Sequence, residues 1–261
     1  MRAMIFAAGL GTRLRPLTDT RPKALVEVAG RPLLEIVASR LVAQGCDSLV
    51  VNAHHFAWQI IRHIAANGRE PDIYCGVPTT VSDESDRLLD TGGGILYARP
   101  LLEGTGRFLV HNVDILSNLD IRSLVDTVRP DALATLVVSG RQTSRYLLFD
   151  GDMRLVGWTD VRTGQIKSPW PELVRPAGSD PVIPDGLKAL AFAGIHLISD
   201  RVFDEMASLH APGEPFPIMD FYLSVCDRCP IYGYEPQGLQ LIDVGKPETL
   251  AVAEAFVKEL R

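Results

Sequence analysis

Two glycines and four cations follow the first apolar run of the sequence. That run, Ala-Met-Ile-Phe-Ala, ends at Ala7 and predicts a buried strand, and Gly9 and Gly11 come directly after it. The cations of the next segment are Arg13, Arg15, Arg21 and Lys23. Glycine leaves room for a backbone to approach a ligand closely, and main-chain N–H groups combined with cations suit a polyphosphate. The segment therefore predicts a phosphate-binding loop.

This loop fits neither of two common phosphate-binding patterns. A Walker loop ends in Gly-Lys-Ser/Thr, which is absent here, and the dinucleotide fingerprint needs a third glycine where Leu14 stands. Residues 9–18 read Gly-Leu-Gly-Thr-Arg-Leu-Arg-Pro-Leu-Thr, and Pro-Lys follows at 22–23. The pattern resembles the signature of the sugar-1-phosphate nucleotidylyltransferases, the enzymes that make nucleotide sugars.

Two later apolar strands each end in an aspartate, at Asp114 and at Asp243. An aspartate at the carboxyl end of a parallel strand faces the crevice where α/β sheets bind ligands, and two such carboxylates suit Mg²⁺. Taken singly, each is better explained as a strand-end or capping residue. The resemblance favours a metal site. The family carries one aspartate after the strand that follows its nucleobase segment and another in Asp-Val-Gly-x-Pro-Glu, which matches residues 243–248. Val113 departs from the family pattern, which usually has glycine there.

A second glycine-rich segment, residues 87–95, reads Arg-Leu-Leu-Asp-Thr-Gly-Gly-Gly-Ile. Three glycines before a helix would disfavour helix formation by about 1 kcal/mol each, so we expect them to let the backbone approach a ligand. The resemblance implies contact with the base and sugar. It is closest to the version in N-acetylmuramate-1-phosphate uridylyltransferases and in mannose- or heptose-1-phosphate guanylyltransferases. The acidic run 82–86 is predicted to be a solvated loop. An acid there that did reach a base could accept guanine N–H protons, which leaves guanosine open beside uridine.

The sugar-binding half has a weaker signal. Gly194 lies in Phe-Ala-Gly-Ile-His, which resembles a family segment that follows a central strand, and His196 is predicted to be a satisfied sheet histidine. The family's Glu-Lys-Pro motif, which holds the sugar phosphate, is absent. Lys167 or Arg145 could replace its lysine.

The patterns and the resemblance together predict one set of site residues. The predicted catalytic residues are Arg13, Lys23, Asp114 and Asp243, with the two aspartates as Mg²⁺ ligands. The predicted nucleotide-binding residues are Ala8, Gly9, Gly11, Thr12, Asp90, Gly92 and Gly93. The predicted sugar-binding residues are Asn112, Gly194 and Lys167.

Composition narrows the class of protein. The chain has 261 residues, 46% of them hydrophobic, and a net charge of −6, which argues against a sequence-independent nucleic-acid surface. No apolar run approaches the roughly 20 residues of a membrane span. We therefore expect a cytoplasmic protein, a monomer or small homo-oligomer, without nucleic-acid or membrane partners. Cys226 and Cys229 form a Cys-x-x-Cys without further zinc ligands at matching spacing, so reduced thiols are expected.

Strand and helix signals alternate in the first half of the chain, which predicts crossover connections. We expect an α/β, Rossmann-like fold: a mixed, mainly parallel sheet flanked by helices, with a small β-rich sugar-binding insertion. Residues 1–261 are predicted to form a single domain, with a nucleotide-binding half at about 1–140 and a sugar-binding half at about 141–261. Residues 160–187, rich in Pro, Gly and charge, are predicted to be a long loop.

The expected activity is transfer of a nucleoside monophosphate from a nucleoside triphosphate to a sugar 1-phosphate, with release of pyrophosphate. A UDP-sugar and an acceptor like N-acetylmuramate 1-phosphate are the first choice, and a GDP-sugar is the alternative. An alternative of another class is a non-catalytic, regulatory module that binds a nucleotide sugar. Such a module would be expected to lack one of the aspartates or cations, and all four are present.

Overall fold

The computed structural model describes residues 1–68, 70 and 72–259, so residues 260 and 261 of the predicted domain lie outside the described part. The strands, in chain order, are β1 (Arg2–Phe6), β2 (Glu27–Val28), β3 (Arg31–Pro32), β4 (Ser48–Ala53), β5 (Ile73–Tyr74), β6 (Val77–Asp83), β7 (Arg107–Asn112), β8 (Ile115–Ser117), β9 (Ala134–Ser139), β10 (Arg145–Phe149), β11 (Leu155–Asp160), β12 (Gln165–Lys167), β13 (Lys188–Ser199), β14 (Ile231–Tyr234) and β15 (Leu241–Asp243). The α-helices are α1 (Leu33–Ala43), α2 (Ala57–Asn67), α3 (Asp90–Tyr97), α4 (Arg99–Leu102), α5 (Ile121–Asp126), α6 (Val202–Leu209), α7 (Ile218–Val225) and α8 (Leu250–Glu259).

An eleven-stranded mixed sheet with a parallel core organises the molecule, which confirms the predicted fold class. Its order is β12-β11-β10-β13-β7-β1-β4-β6-β5, and β9 pairs with both β13 and β14. Strands β7, β1, β4 and β6 pair in parallel. In this register Phe6 of β1 lies opposite both Asn52 of β4 and Asn112 of β7. The carboxyl ends of three adjacent strands therefore lie in one row.

Side chains alternate between the two faces of this sheet, as a period of two requires. In β1, Ile5 belongs to the apolar cluster that includes α1 and α2, whereas Met4 belongs to the cluster on the opposite face with Phe108 and α7. Both clusters are buried, so the central strands are covered by helices on each side. No helix in the described part of the chain is long and apolar enough to cross a membrane.

The second half of the sheet is antiparallel except for β14, which pairs in parallel with β9. β13 pairs antiparallel with β7, β9 and β10, and β10, β11 and β12 continue as an antiparallel meander. The prediction of a long loop over residues 160–187 was wrong in part, because β12 lies within it. Ile166 is the reason: it pairs with Thr159 and packs with Leu148 and Val156 in a small third apolar cluster. One apolar residue in a three-residue strand gives no detectable periodicity.

The glycines at 92–94 lie inside α3 rather than before a helix, which corrects the sequence prediction. A Cβ on Gly92 would lie 2.2 Å from the Phe216 ring, and one on Gly93 would lie 2.6 Å from the Glu214 carbonyl oxygen. Phe216 O also accepts hydrogen bonds from the N–H groups of both glycines, at 2.8 and 3.2 Å. The glycines therefore allow close packing against the segment before α7, and this tertiary contact outweighs their low helix propensity.

Two buried histidines lie in neighbouring strands, His111 in β7 and His196 in β13. Their side chains are on opposite faces of the sheet, because His111 pairs with Ile195 and His196 pairs with Val110. His111 donates from Nδ1 to the Asn112 carbonyl at 2.8 Å, and His196 Nδ1 lies 2.8 Å from the Tyr222 hydroxyl. The predicted role of His196 as a satisfied sheet histidine is confirmed. Burial lowers the pKa of His111 to about 4 and the pKa of His196 to about 3. Both side chains are neutral at neutral pH.

This pair makes the fold sensitive to acid. Below pH 6.5 the two histidines become protonated in the unfolded chain but stay neutral in the folded chain. The free energy of unfolding therefore falls as the pH falls. The expected slope is up to about 1.4 kcal/mol per pH unit for each histidine, down to about pH 4. Urea unfolding between about pH 7.5 and 4.5 measures it. The His196→Gln variant should show a shallower slope, and slopes equal to those of the wild type would contradict this origin.

Candidate active site

A cleft of about 440 Å³ opens at the carboxyl ends of β7, β1 and β4. Its walls come from the loop after β1, the ends of β4 and β7, the start of α3 and the turn after β15. The lining residues are Phe6, Ala7, Ala8, Gly9, Leu10, Gly11, Thr12, Arg13, Lys23, Asn52, Leu88, Asp90, Thr91, Asn112, Val113, Asp114 and Gly245. Open α/β sheets bind ligands at this position.

The loop after β1 has a shape that its own residues fix. Gly11 adopts φ 64°, and a Cβ there would lie 2.9 Å from Thr18 Cγ2 and 3.1 Å from Lys23 Cβ. The Thr18 hydroxyl donates to the Gly11 carbonyl at 2.8 Å. Glycine at position 11 is therefore required by backbone conformation and by packing within the protein. Ala8, Gly9 and Thr12, the other predicted residues of this loop, line the cleft.

Lys23 and Asp114 form a salt bridge across the cleft. Lys23 begins a 3-10 turn at Lys23–Leu25, whereas Asp114 follows the end of β7, so the pair joins the first loop to the parallel core. Lys23 is buried and Asp114 is partly buried. A buried ammonium needs such a partner, because burying an unpaired charge is strongly unfavourable. The structure thus brings together two of the four predicted catalytic side chains.

Asp243 reaches the same place through the small sheet of β8 and β15. It lies opposite Ile115, and the Val244 N–H donates to the Asp114 carbonyl at 2.8 Å. Asp243 Oδ1 is buried and, among the described residues, has no hydrogen-bond partner. A Cβ on Gly245 would lie 2.6 Å from this oxygen and 2.8 Å from Arg13 Nη2. Asp243 and the exposed Arg13 therefore meet at Gly245.

The donor set at this point fits a hard divalent cation. Asp114 directly precedes β8, and Asp243 ends its partner strand β15. These two carboxylates, one with an unpartnered buried oxygen, provide the oxygen ligands that Mg²⁺ prefers. No group of three or more His, Cys, Asp or Glu side chains with metal-binding geometry occurs in the described part of the chain. Any cation here would take its remaining ligands from substrate or water.

The start of α3 forms the wall of the cleft that the sequence predicts to contact the nucleobase. Asp90 and Thr91 line the cleft, whereas Gly92 and Gly93 are buried behind them. Asp90 has φ 59°, and its Oδ1 accepts from the Thr91 N–H at 2.5 Å. The Thr91 hydroxyl in turn accepts from the Ile218 N–H at 2.9 Å, which ties this wall to α7.

Gly194 and Asn112, predicted on the sugar side, lie in contact. Gly194 has φ 75° at a bulge in β13, and a Cβ there would lie 2.8 Å from Asn112 Nδ2. Lys167 is not a lining residue of the cleft. Its Nζ lies 3.8 Å from Asp220 Oδ1 and 5.4 Å from the centre of the Trp158 ring. Arg145 is exposed and lies 3.8 Å from Asp160.

Sequence reasoning missed Asn52 and Glu84. Asn52 lies near the end of the apolar strand β4 just as Asp114 follows β7, so the same pattern could have identified it. Its Oδ1 accepts from the Ala7 N–H at 2.8 Å, and its Nδ2 donates to Glu84 Oε1 at 2.9 Å. The prediction of a solvated acidic loop at 82–86 was wrong for Ser82, a buried residue of β6, and for Glu84, which is 3% exposed. Its buried partner in β4 holds it inside, and no local pattern in the sequence indicates such a partner.

Comparison with known proteins agrees with this geometry. Residues 2–147 match the nucleotidyl transferase family. A curated relative from Caulobacter vibrioides, an N-acetylmuramate alpha-1-phosphate uridylyltransferase, is 33% identical over 98% of this chain and 97% of its own length. The chain belongs to the nucleotidyl transferase family. It is therefore an enzyme, a sugar-1-phosphate nucleotidylyltransferase, rather than the regulatory module that the sequence left open.

Two further comparisons are with a second curated relative and with a solved structure. An N-acetylmuramate alpha-1-phosphate uridylyltransferase from Neisseria meningitidis is 42% identical over 49% of this chain and 52% of its own length. The solved structure of the inositol-1-phosphate CTP transferase from T. maritima superposes with a TM-score of 0.74, covering 99% of this chain and 95% of that one at 14% identity. At this level of identity, the match to the solved structure shows the fold alone.

Gly9 offers a clean test of the phosphate-binding loop in this nucleotidyltransferase. A Cβ at Gly9 would meet no protein atom within 4 Å, and its φ is not in the left-handed region. Gly9→Ala should therefore unfold at the wild-type temperature, yet raise KM for the nucleoside triphosphate about 10-fold by blocking the ligand. Gly151→Ala, at an equally open glycine in the turn between β10 and β11, is the matched control. Wild-type KM in Gly9→Ala would show that no ligand approaches this backbone.

Proposed function

We propose that this enzyme transfers uridylate from UTP to N-acetylmuramate 1-phosphate and releases pyrophosphate. The observation that carries the proposal is the match to the N-acetylmuramate alpha-1-phosphate uridylyltransferase from Caulobacter vibrioides, which spans 98% of this chain. The cleft supports it, since the glycine loop after β1, Lys23 and Asp114 line it and Asp243 lies next to its lining residue Gly245, a set of groups that suits a triphosphate. Both halves of the chain are proposed to act as one domain in the cytoplasm, as a monomer or small homo-oligomer.

The reaction needs no general base. A phosphate oxygen of the sugar 1-phosphate attacks the α-phosphorus of UTP, and the bond to the β-phosphate oxygen breaks as pyrophosphate leaves. That nucleophile is mostly dianionic near neutral pH, because the second pKa of a phosphate monoester is about 6. Catalysis then consists of positioning and of neutralising charge on the phosphates.

Each cation has a separate position for this task. Arg13 is exposed, lines the cleft and lies beside Gly245, which supports a role for it in holding the departing pyrophosphate. Lys23 is buried and pairs with Asp114, which supports a role for it in binding the α-phosphate or the attacking phosphate. Salt screening is weaker for the buried ammonium, and its effect on the reacting centre is correspondingly larger.

The family typically uses Mg²⁺, and we propose Asp114 and Asp243 as the residues that hold it. The bound ion would supply positive charge to phosphate oxygens and help orient them. Asp114 already pairs with Lys23, whereas Asp243 Oδ1 lacks a partner in the described part of the protein. We therefore expect substitution of the two aspartates to change the stability of the fold in different ways.

The remaining site residues are assigned by position. Asp90 is proposed to contact the base or ribose, because it lines the cleft with one carboxylate oxygen bound to its own backbone neighbour. Asn112 is proposed to contact the sugar and is kept in place by Gly194. The acceptor's phosphate has two candidate ligands, Lys167 and Arg145, each of which would have to leave its carboxylate neighbour.

A substrate panel tests the proposed function. UTP, GTP, CTP and dTTP are each combined with N-acetylmuramate 1-phosphate, mannose 1-phosphate and glucose 1-phosphate in the presence of Mg²⁺, and pyrophosphate release is measured. We expect the highest kcat/KM for UTP with N-acetylmuramate 1-phosphate. A preference for GTP with mannose 1-phosphate would replace the proposal by the guanylyltransferase alternative.

The two aspartates should respond differently to amidation. Asp243→Asn should lower kcat about 100-fold or more while the unfolding temperature stays constant or rises, because an unpartnered buried carboxylate is lost. Asp114→Asn should lower kcat similarly but also lower the unfolding temperature, because Lys23 is left unpaired. Steady-state kinetics and thermal unfolding measure both effects. Near-normal kcat at saturating Mg²⁺ in either variant would refute that ligand assignment.

A further inference from the structure

Glu84 is a carboxylate that neither the reaction nor the lining of the cleft accounts for. It is 3% exposed, its Oε2 is buried, and among the described residues this oxygen has no hydrogen-bond partner. Burial raises the pKa of its carboxyl group. Such a group destabilises the fold relative to an apolar side chain. Its position therefore calls for an explanation other than stability.

Glu84 contacts the loop after β1 through one intermediate. Its Oε1 accepts from Asn52 Nδ2 at 2.9 Å, and Asn52 Oδ1 accepts from the Ala7 N–H at 2.8 Å. Asn52 is 2% exposed. β1 ends at Phe6, so Ala7 is the first residue of the phosphate-binding loop. The Asn52 side chain thus replaces the ladder hydrogen bond that Ala7 would make if the strand continued.

Glu84 also determines which way the Asn52 amide faces. An Asn side chain has an acceptor on one side and donors on the other. The Ala7 N–H requires the oxygen, and the Glu84 carboxylate requires the NH₂ group. If the amide rotated by half a turn, its NH₂ group would face the Ala7 N–H, and its oxygen would face a carboxylate. Gly94 completes the enclosure, because a Cβ there would lie 2.9 Å from Glu84 Oε1 and 3.2 Å from Asn52 Nδ2.

We propose that Glu84 and Asn52 are positioning residues for nucleotidyl transfer, which hold the Ala7 N–H and thereby fix where the phosphate-binding loop leaves the sheet. The chain Glu84–Asn52–Ala7 crosses from the segment before α3, through β4, to the end of β1. It links the wall on the nucleobase side to the loop for the triphosphate. A displacement of about 1 Å at the start of the loop moves every backbone N–H that follows, and errors of this size lower rates substantially.

The proposal rests on the proposed function only in requiring that residues 7–13 bind the triphosphate. A swap of the two side-chain types tests it. Asn52→Asp places two carboxylates against each other where the hydrogen bond now spans 2.9 Å, and like charges this close repel. In the double variant Asn52→Asp/Glu84→Gln, an aspartate oxygen again accepts from Ala7, and the amide group introduced in place of the glutamate carboxylate donates to the other oxygen. The hydrogen-bonded chain is rebuilt, with only the bond between residues 52 and 84 reversed in direction.

The expected results separate positioning from general stability. Asn52→Asp should raise KM for the triphosphate about 10-fold or more, leave KM for the sugar phosphate within about 2-fold, and speed hydrogen exchange at the Ala7 amide. The double variant should restore both the triphosphate KM and the exchange rate to within about 3-fold. Glu84→Gln alone should stay within about 3-fold, because the new amide oxygen still accepts from Asn52. Asn67→Asp, at the end of α2, adds the same charge as a control.

Two outcomes would overturn the proposal. One is a double variant whose triphosphate KM and Ala7 exchange rate are no closer to the wild type than those of Asn52→Asp. This result would mean that Glu84 does not act through Asn52. The other is a changed preference between UTP and GTP in Glu84→Gln with unchanged exchange at Ala7, which would mean that Glu84 acts on the base directly. Hydrogen exchange at Ala7 is measured without substrate. A wrong assignment of acceptor or base would therefore leave this test intact.

Discussion

The register of β1 between β4 and β7 is the constraint on which the site depends. Because Phe6 lies opposite both Asn52 and Asn112, three strands end in one row, and everything that follows them converges. Parallel pairing produces this convergence without any side-chain contact, since all carboxyl ends lie at one edge. A slip of one residue would move Ile5 to the wrong face and would also move the first loop away from Asn52. The buried alternation of β1 thus fixes the geometry of the cleft.

A second, smaller sheet closes the site from the far end of the chain. β15 pairs with β8, and the Val244 N–H bonds to the Asp114 carbonyl, so Asp243 arrives beside a residue from the first half of the sequence. Such distant pairing is entropically unfavourable until the parallel core has formed. The pair of aspartates proposed to hold Mg²⁺ is consequently assembled on a finished framework. A backbone hydrogen bond joins the two segments, whereas the Asp114 carboxylate itself pairs with Lys23.

The sequence predicted those features that local patterns encode. Apolar strands with polar ends identified β1, β7 and β15, and thereby Asp114 and Asp243, while glycines with cations identified the first loop. It failed where a distant partner decides the local structure. Gly92 and Gly93 are helical because Phe216 packs against them, Glu84 is buried because Asn52 binds it, and β12 exists because Leu148 and Val156 cover Ile166. The residues that bind acceptor phosphate remain a prediction, since neither Lys167 nor Arg145 lines the cleft.

Two buried carboxylate oxygens without partners in the described part of the chain, on Glu84 and Asp243, differ in what surrounds them. Asp243 faces Arg13 at Gly245, where a cation or a phosphate-bound arginine can reach it. Glu84 is buried, its other oxygen, Oε1, accepts from Asn52 Nδ2, and a Cβ on Gly94 would lie 2.9 Å from that oxygen. Asp243 Oδ1 is therefore suited to bind a cation, or an arginine, that comes into position when the substrate binds. The second carboxylate is suited to hold a neighbour in a single orientation. Both buried carboxylates reduce the stability of the free protein, and both lie next to residues that line the cleft. Unsatisfied polar groups are expected in such places when function rather than folding selects them.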